Sequence, residues 1–165
     1  MSEVKAAVVL SWTLLFGIPL LVLSSQRTTP AESTRSIIFK NALHLQGVYA
    51  KDADTVGCTS VDLPYGVSLR DASVRATSFD AWETSRQRYS NTTDTEIALG
   101  KKAHAYLQSL MTKGDFYIIP PSQGSGRDNF GRLLGDFYIH DAKADTIIDV
   151  AFEMKKAGYI RQKQP

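Results

Sequence analysis

Residues 66–85, G-V-S-L-R-D-A-S-V-R-A-T-S-F-D-A-W-E-T-S, combine strand-like alternation with a closely spaced set of charged side chains. The apolar residues at the start of the stretch alternate with polar neighbours, which is typical of a half-buried strand. Arg75, Asp80 and Glu83 then follow one another at spacings of five and three residues. The stretch therefore predicts a strand leading into a sharp loop, with a cation, a possible metal ligand and a possible base at its end.

Two short motifs, one on each side of this stretch, favour the same interpretation. Residues 52–55, D-A-D-T, place two acids in a turn upstream, and residues 128–132, D-N-F-G-R, place a second arginine downstream. Taken alone, the two acids are ordinary turn residues, and Arg132 can simply pair with Asp128. It is the order of the motifs along the chain that points to a single site.

Composition and charge exclude several classes of protein. The 165 residues suffice for one domain with an anchor or tails, and a hydrophobic share of 43% is ordinary for a folded domain. Lys and Arg total 19 against 17 acids, so any phosphate recognition must depend on a few placed cations and not on a strongly basic surface. Cys58 is the only cysteine, which excludes an intrachain disulfide and a thiolate zinc cluster.

The amino-terminal residues 6–23 carry no charge and are mostly apolar. As a helix they would cover about 27 Å, close to the thickness of a hydrocarbon core. The run is longer than the apolar core of a typical signal peptide, about 7–15 residues, so we expect a transmembrane anchor over residues 1–25. A secretory signal cleaved near residues 24–25 is the alternative. The Ser/Thr-rich residues 26–40 predict a tether, and residues 41–165 the folded domain.

The domain pattern predicts strands and two helices. Residues 93–96, T-D-T-E, can form a capping box at the start of a helix with one apolar face. Strands are predicted at residues 115–119 and 133–140. A short amphipathic helix is predicted at residues 149–157, with Gly158 as its C-cap.

This order of elements resembles the staphylococcal nuclease (thermonuclease) family over roughly residues 47–160. The resemblance rests on D-x-D-T, R-x4-D-x-x-E, a helix, D-x-x-G-R and a short helix ending in A-G-Y. It implies an OB-type five-stranded β-barrel with packed helices. With the apolar amino-terminal run, the chain looks most like the membrane-anchored mitochondrial thermonucleases of fungi. The resemblance therefore also implies a single-pass protein of the mitochondrial inner membrane, inserted through residues 6–23.

The resemblance implies a calcium site. In that family two carboxylates and a backbone carbonyl hold the ion, and the matching positions here are Asp54, Asp80 and the carbonyl oxygen of Ala81. Asp52 matches a nearby acid that supports the ion from a second layer. A hard divalent cation prefers such oxygen ligands, and its charge neutralises phosphate.

The resemblance also implies catalytic residues. Arg75 and Arg132 match the two phosphate-clamping arginines, whose planar guanidinium groups can bind two oxygens at once. Glu83 matches the acid that activates or orients the attacking water, and Asp128 an acid that organises the loop before Arg132. The implied activity is calcium-dependent endonucleolytic hydrolysis of single-stranded or double-stranded DNA or RNA. An OB-type barrel face is suited to single-stranded nucleic acid.

Two departures from the family pattern keep other functions open. Ala53 stands where the family has a glycine, so a positive φ there would be strained, and Trp82 stands where it has a proline, which leaves the loop of Glu83 less rigid. One alternative is a catalytically silent accessory subunit of a mitochondrial inner-membrane complex of the respiratory type, docked on other subunits. Another is a module that binds nucleic acid without cutting it.

Overall fold

The computed structural model of the protein describes residues 40–86 and 91–161. The expected anchor at residues 1–25 and nearly all of the expected tether at residues 26–40 lie outside the described residues. Within the described ranges, no helix is both long enough and apolar enough to cross a membrane.

The strands and helices follow the predicted order along the chain. The strands are β1 (Leu43–Gln46), β2 (Tyr49–Ala50), β3 (Thr55–Leu63), β4 (Val67–Ala76), β5 (Asp115–Ile119), β6 (Leu133–Asp141) and β7 (Thr146–Asp149). Two helices lie wholly within the described residues, α1 (Asp94–Met111) and α2 (Val150–Lys156). A single 3-10 turn at Pro64–Gly66 joins β3 to β4.

Five of these strands close into a barrel. β1 pairs with β3 on one side and with β5 on the other, and the circuit continues through β4 and β6. The pairs are antiparallel except for β4 and β6, which run parallel. The short strands β2 and β7 extend the edges of β3 and β6. A closed barrel of five strands with two helices, one of them between β4 and β5, is consistent with an OB-like barrel.

The β3–β4 hairpin is the longest ladder of the barrel, and it brings the site residues together. Its register runs from the pair Leu63 and Val67 next to the turn to the pair Thr55 and Arg75 at the far end. Alternation along the second half of β4 buries Ala72, Val74 and Ala76 and leaves Arg75 only half-buried. The ladder continues one step further, because the N–H of Ala76 donates to the carbonyl oxygen of Asp54 at 2.9 Å.

Side chains cap the start of both helices, and a glycine follows the end of α2. Thr93 accepts a hydrogen bond from the N–H of Glu96, whose carboxylate accepts from the N–H of Thr93, so the predicted capping box is confirmed. Asp149 caps α2 by accepting from the N–H of Phe152 at 3.0 Å. Gly158 follows α2 with a φ of 78°, the left-handed conformation that glycine adopts without strain.

The core fills the barrel and continues beneath α1. The largest side chains with almost no exposure come from the strands and both helices: Phe137, Leu107, Leu110, Ile118, Ile139, Met154, Val56, Val61, Val74, Val150 and Cys58. The ring of Phe137 contacts those of Phe116 and Phe79, with centroids 5.3 and 6.0 Å away. Because Phe79 belongs to the loop after β4, the core packs directly against the loop predicted to carry site residues.

Candidate functional site

A guanidinium group bridges two carboxylates at the end of the β3–β4 ladder. Arg75 Nη2 lies 2.9 Å from Asp54 Oδ2 and 2.5 Å from Asp80 Oδ1. The register of the hairpin places Asp54 beside Arg75, and the loop after β4 turns back to bring Asp80 to the same point. The hydroxyl of Thr55 donates to the other carboxylate oxygen of Asp54 at 2.9 Å. Three of the predicted site residues therefore form one cluster.

This cluster carries more negative than positive charge. Burial raises the pKa of Asp54 to about 6, although Arg75 and the Thr55 hydroxyl favour its ionised form. The nearby carboxyl group of Asp80 raises the pKa further. Asp54 is 6% exposed, so water contributes little to stabilising its charge. One arginine is thus shared by two acids in a site that is suited to a further cation.

The chain after α2 holds one side of the site loop. The N–H of Arg161 donates to the carbonyl oxygen of Asp80 at 2.8 Å, and Ile160 forms an isolated antiparallel bridge with Ala81. The guanidinium of Arg161 also lies over the Trp82 ring, 5.6 Å from its centroid. Backbone pairing and a cation–π contact therefore hold the loop in place. The sequence pattern, which lacks the proline of the family, predicts a less rigid loop.

Helix α1 holds the other side of the same loop. Gly100 lies against the backbone of Trp82 and Glu83, so closely that a Cβ atom on it would be 2.2 Å from the Glu83 carbonyl oxygen. Only glycine allows this approach, because any side chain would collide with backbone atoms. Glu83 therefore lies in a loop that α1 and the C-terminal segment both contact.

An open cleft borders the Arg75 cluster. Its volume is about 460 Å³, within the range of small-molecule sites. The cleft is lined by the end of β4, the following loop and the chain after α2: Arg75, Ala76, Thr77, Ser78, Phe79, Asp80, Ile160 and Arg161. Arg161 and the Ser78 hydroxyl are donors in this lining that are suited to the oxygens of an anion. Arg75 is paired with Asp54 and Asp80, and the Thr77 hydroxyl donates to Asp136.

The second predicted arginine lies in a separately organised loop before β6. Arg132 Nε donates to Asp128 Oδ2 at 2.6 Å, while Asp128 Oδ1 accepts from the N–H groups of Phe130 and Arg132 at 2.9 and 3.0 Å. Partial burial opposes ionisation of Asp128, but these donors lower its pKa below the ordinary value. The parallel pairing of Val74 with Leu133 places this loop next to β4, at the edge of the barrel that carries Arg75.

The D-A-D-T turn adopts its shape without strain at residue 53. Ala53 is completely buried, and among the described non-glycine residues a positive φ occurs only at Tyr65, Asp71 and Asp145. Asp52 Oδ1 accepts a hydrogen bond from the N–H of Ala53 at 2.9 Å. Ala53 therefore does not carry the strain that a positive φ would impose on it. Asp52 stabilises the turn that leads to Asp54.

The residues at the cluster suit calcium in chemical type. Asp54 and Asp80 offer hard carboxylate oxygens, and their net negative charge favours a divalent cation. In the part of the chain that the structure describes, no group of three or more acids, histidines or cysteines is arranged to hold a metal ion. Calcium takes six to eight oxygens, so the Ala81 carbonyl and water would have to complete the shell. The guanidinium group of Arg75 supplies positive charge between the two carboxylates.

Sequence reasoning missed the three residues that hold the site loop. Ile160 and Arg161 follow α2 without a distinctive pattern, since an isolated β-bridge leaves no periodic signal. Gly100 offers the one usable signal, because a glycine inside a helix has a cost in helix stability and often marks close packing.

The comparisons with known proteins assign no family to this chain. Neither the family models nor the curated proteins include a match to its sequence. The class of the protein is therefore defined by its fold and its site. It is a closed five-stranded barrel with two helices, which presents an arginine-bridged carboxylate pair beside an open cleft.

Proposed function

We propose that this protein is a membrane-anchored, calcium-dependent phosphodiesterase of the thermonuclease type that hydrolyses DNA or RNA. The observation that carries the proposal is the Asp54–Arg75–Asp80 cluster beside an open cleft at the edge of an OB-like barrel. The assignment of the barrel to the staphylococcal nuclease type, and the placement in the mitochondrial inner membrane, rest on the sequence resemblance.

Each site residue has a defined role in this proposal. Asp54, Asp80 and the carbonyl oxygen of Ala81 would hold calcium, which when bound supplies positive charge at the attacked phosphate and acidifies a bound water. Arg75 and Arg132 bind phosphate oxygens and oppose the negative charge that builds on phosphorus. Glu83 accepts the proton of the attacking water.

Hydrolysis is tested with the full-length protein in detergent and a single-stranded DNA substrate. We expect cleavage with calcium and none with a chelator. Glu83→Gln should lower the rate roughly 100-fold or more, because general-base catalysis contributes about that much. Asp115→Asn, which removes an exposed acid at the start of β5, is the matched control and should leave the rate unchanged. Absence of cleavage with calcium by a folded wild-type protein contradicts the proposal.

A second candidate function is a catalytically silent subunit of a membrane complex. It is favoured by the fact that both predicted clamp arginines are paired with acids of their own chain: Arg75 with Asp54 and Asp80, and Arg132 with Asp128. Native membranes solubilised in mild detergent separate the two candidates. Comigration with a large complex, together with no cleavage, would favour the subunit.

A further inference from the structure

The turn between β3 and β4 exposes apolar side chains to solvent. Residues 64–67, here called the hairpin tip, are all exposed. Tyr65 is 101% exposed and Val67 is 57% exposed. An isolated exposed apolar residue is ordinary on a protein surface, whereas a projecting tip with three exposed apolar side chains, those of Pro64, Tyr65 and Val67, is suited to contact with another surface.

The backbone of the hairpin tip is unfavourable for a tyrosine. Tyr65 has φ 66° and ψ 22°, the left-handed conformation in which a Cβ atom crowds its own backbone. Its fully exposed ring gains no packing within the domain that would offset this strain. The tight turn requires a positive φ here and at Gly66, which has a φ of 73°, but it does not require an aromatic ring. The display of this ring is therefore suited to a partner outside the domain.

The chain enters the domain beside the hairpin tip. β1 and β3 are antiparallel, with Leu45 opposite Val61, so the start of β1 and the end of β3 lie at the same end of the ladder. The side chain of His44 lies 3.2 Å from the Asp62 carboxylate, next to the tip. The residues that precede β1 along the chain therefore approach the domain from the side on which Tyr65 projects.

The length of chain between the apolar run and β1 limits how far the hairpin tip can lie from a membrane that holds this run. The apolar residues 6–23 are separated from β1 by only about 20 residues. A tether of that length, as expected from the sequence, would span about 25 Å on average. A membrane that receives residues 6–23 is thus held within about the diameter of the domain. The hairpin tip would meet it at a high effective concentration, so that a small apolar contact suffices.

We propose that the hairpin tip docks on the lipid bilayer in which residues 6–23 are anchored, with the Tyr65 ring at the level of the headgroups and Val67 beside it. Aromatic rings with a polar end are favoured at this level of a bilayer. The inference rests on the membrane anchoring contained in the proposed function.

Docking by the tip orients the candidate site. Arg75 lies eight residues along β4 from Val67, which corresponds to about 27 Å of extended strand. The cleft at Arg75 would then lie at the end of the ladder that is farther from the lipid.

The test uses the full chain reconstituted in phosphatidylcholine vesicles that contain nitroxide-labelled lipid. An environment-sensitive fluorophore is attached to Ser68→Cys beside the tip, to Lys51→Cys at the far end of the ladder, or to Trp12→Cys in the apolar run. Cys58, the native cysteine, is buried, and the wild-type protein labelled in parallel measures any background. We expect quenching at positions 12 and 68 that is several-fold greater than at position 51. Adding Tyr65→Ser to the Ser68→Cys protein should abolish quenching at position 68.

Each other outcome overturns the inference in a recognisable way. Quenching at position 12 without quenching at position 68 removes the docking and leaves the anchoring intact. Absence of quenching at position 12 removes the anchoring and with it this part of the proposed function. A label at position 68 that becomes shielded without being quenched by the lipid would assign the tip to a protein surface.

Discussion

Burial of the Asp54 carboxyl group makes the stability of the domain depend on pH. Its pKa is raised from an ordinary value of 3.8 to about 6, because burial outweighs the attraction of Arg75. The folded state therefore retains a proton that the unfolded chain has already released between these two values. Since the folded state binds the proton more tightly, the free energy of unfolding falls as the pH rises from about 4 to about 6.

Asp54→Asn should remove this pH dependence, because the amide cannot ionise. The quantity to follow is the unfolding free energy of the variant minus that of the wild type, measured in the presence of a chelator. We expect this difference to increase by on the order of 3 kcal/mol between about pH 4 and about pH 7. Denaturant titrations at a series of pH values measure it. Asp115→Asn, at an exposed position, is the control. A difference that stays constant with pH would show that folding does not raise the pKa of Asp54.

Among the elements, helix α1 has two functions. One face packs on the core through Ala103, Leu107 and Leu110, as its apolar periodicity predicts. Gly100 near its amino-terminal end receives the backbone of residues 82–83. The position of Glu83 consequently depends on a helix that contributes no charged residue to the site cluster.

Gly100→Ala should destabilise the domain, although alanine is favoured over glycine in a helix by about 1 kcal/mol. The added methyl group would lie 2.2 Å from the Glu83 carbonyl oxygen, so the loop must shift. We expect a net loss of about 1–3 kcal/mol in unfolding free energy and, if the protein is a nuclease, a lower cleavage rate. The neighbouring exposed Lys101→Ala should change stability by less than about 0.5 kcal/mol. Equal stability of the two variants would mean that the loop is not packed on Gly100.

At the scale of the whole molecule, the barrel and the site loop share one core. Phe137 of β6 is 1% exposed, and its ring contacts Phe116 of β5 and Phe79 of the site loop. Each of the five barrel strands is paired on both sides, so none of them could unfold without breaking two pairings. We therefore expect the barrel and the site loop to unfold together.

Phe137→Ala should lower the unfolding free energy by about 3–5 kcal/mol, because it leaves a cavity at the centre of this core. The fluorescence of Trp82, in a Trp12→Phe background, reports on the site loop, and far-ultraviolet circular dichroism reports on the barrel. The unfolding transitions reported by the two probes should shift to lower denaturant concentration by the same amount. Phe152→Ala, at a residue that is 63% exposed, is the control. Separate transitions for the two probes would contradict a shared core.

The features that were predictable are those with a local signal. The capping box at Thr93, the strand at residues 115–119 and the positive-φ glycine that follows α2, Gly158, each depend on residues that are close together in the chain. The parallel pairing of β4 with β6 and the bridge between Ala81 and Ile160 join segments far apart in the chain. Such pairings are selected by closure of the whole barrel, which no local pattern encodes.

The sequence by itself determined which charged groups reach the ends of strands and which faces are apolar, because alternation and capping are properties of neighbouring residues. Only the tertiary structure decided that Arg75 lies between Asp54 and Asp80 and that burial raises the pKa of Asp54. It also decided that Gly100 supports the Glu83 loop. Charge coupling and desolvation depend on distances and on exclusion of water, and these arise only when remote segments pack together.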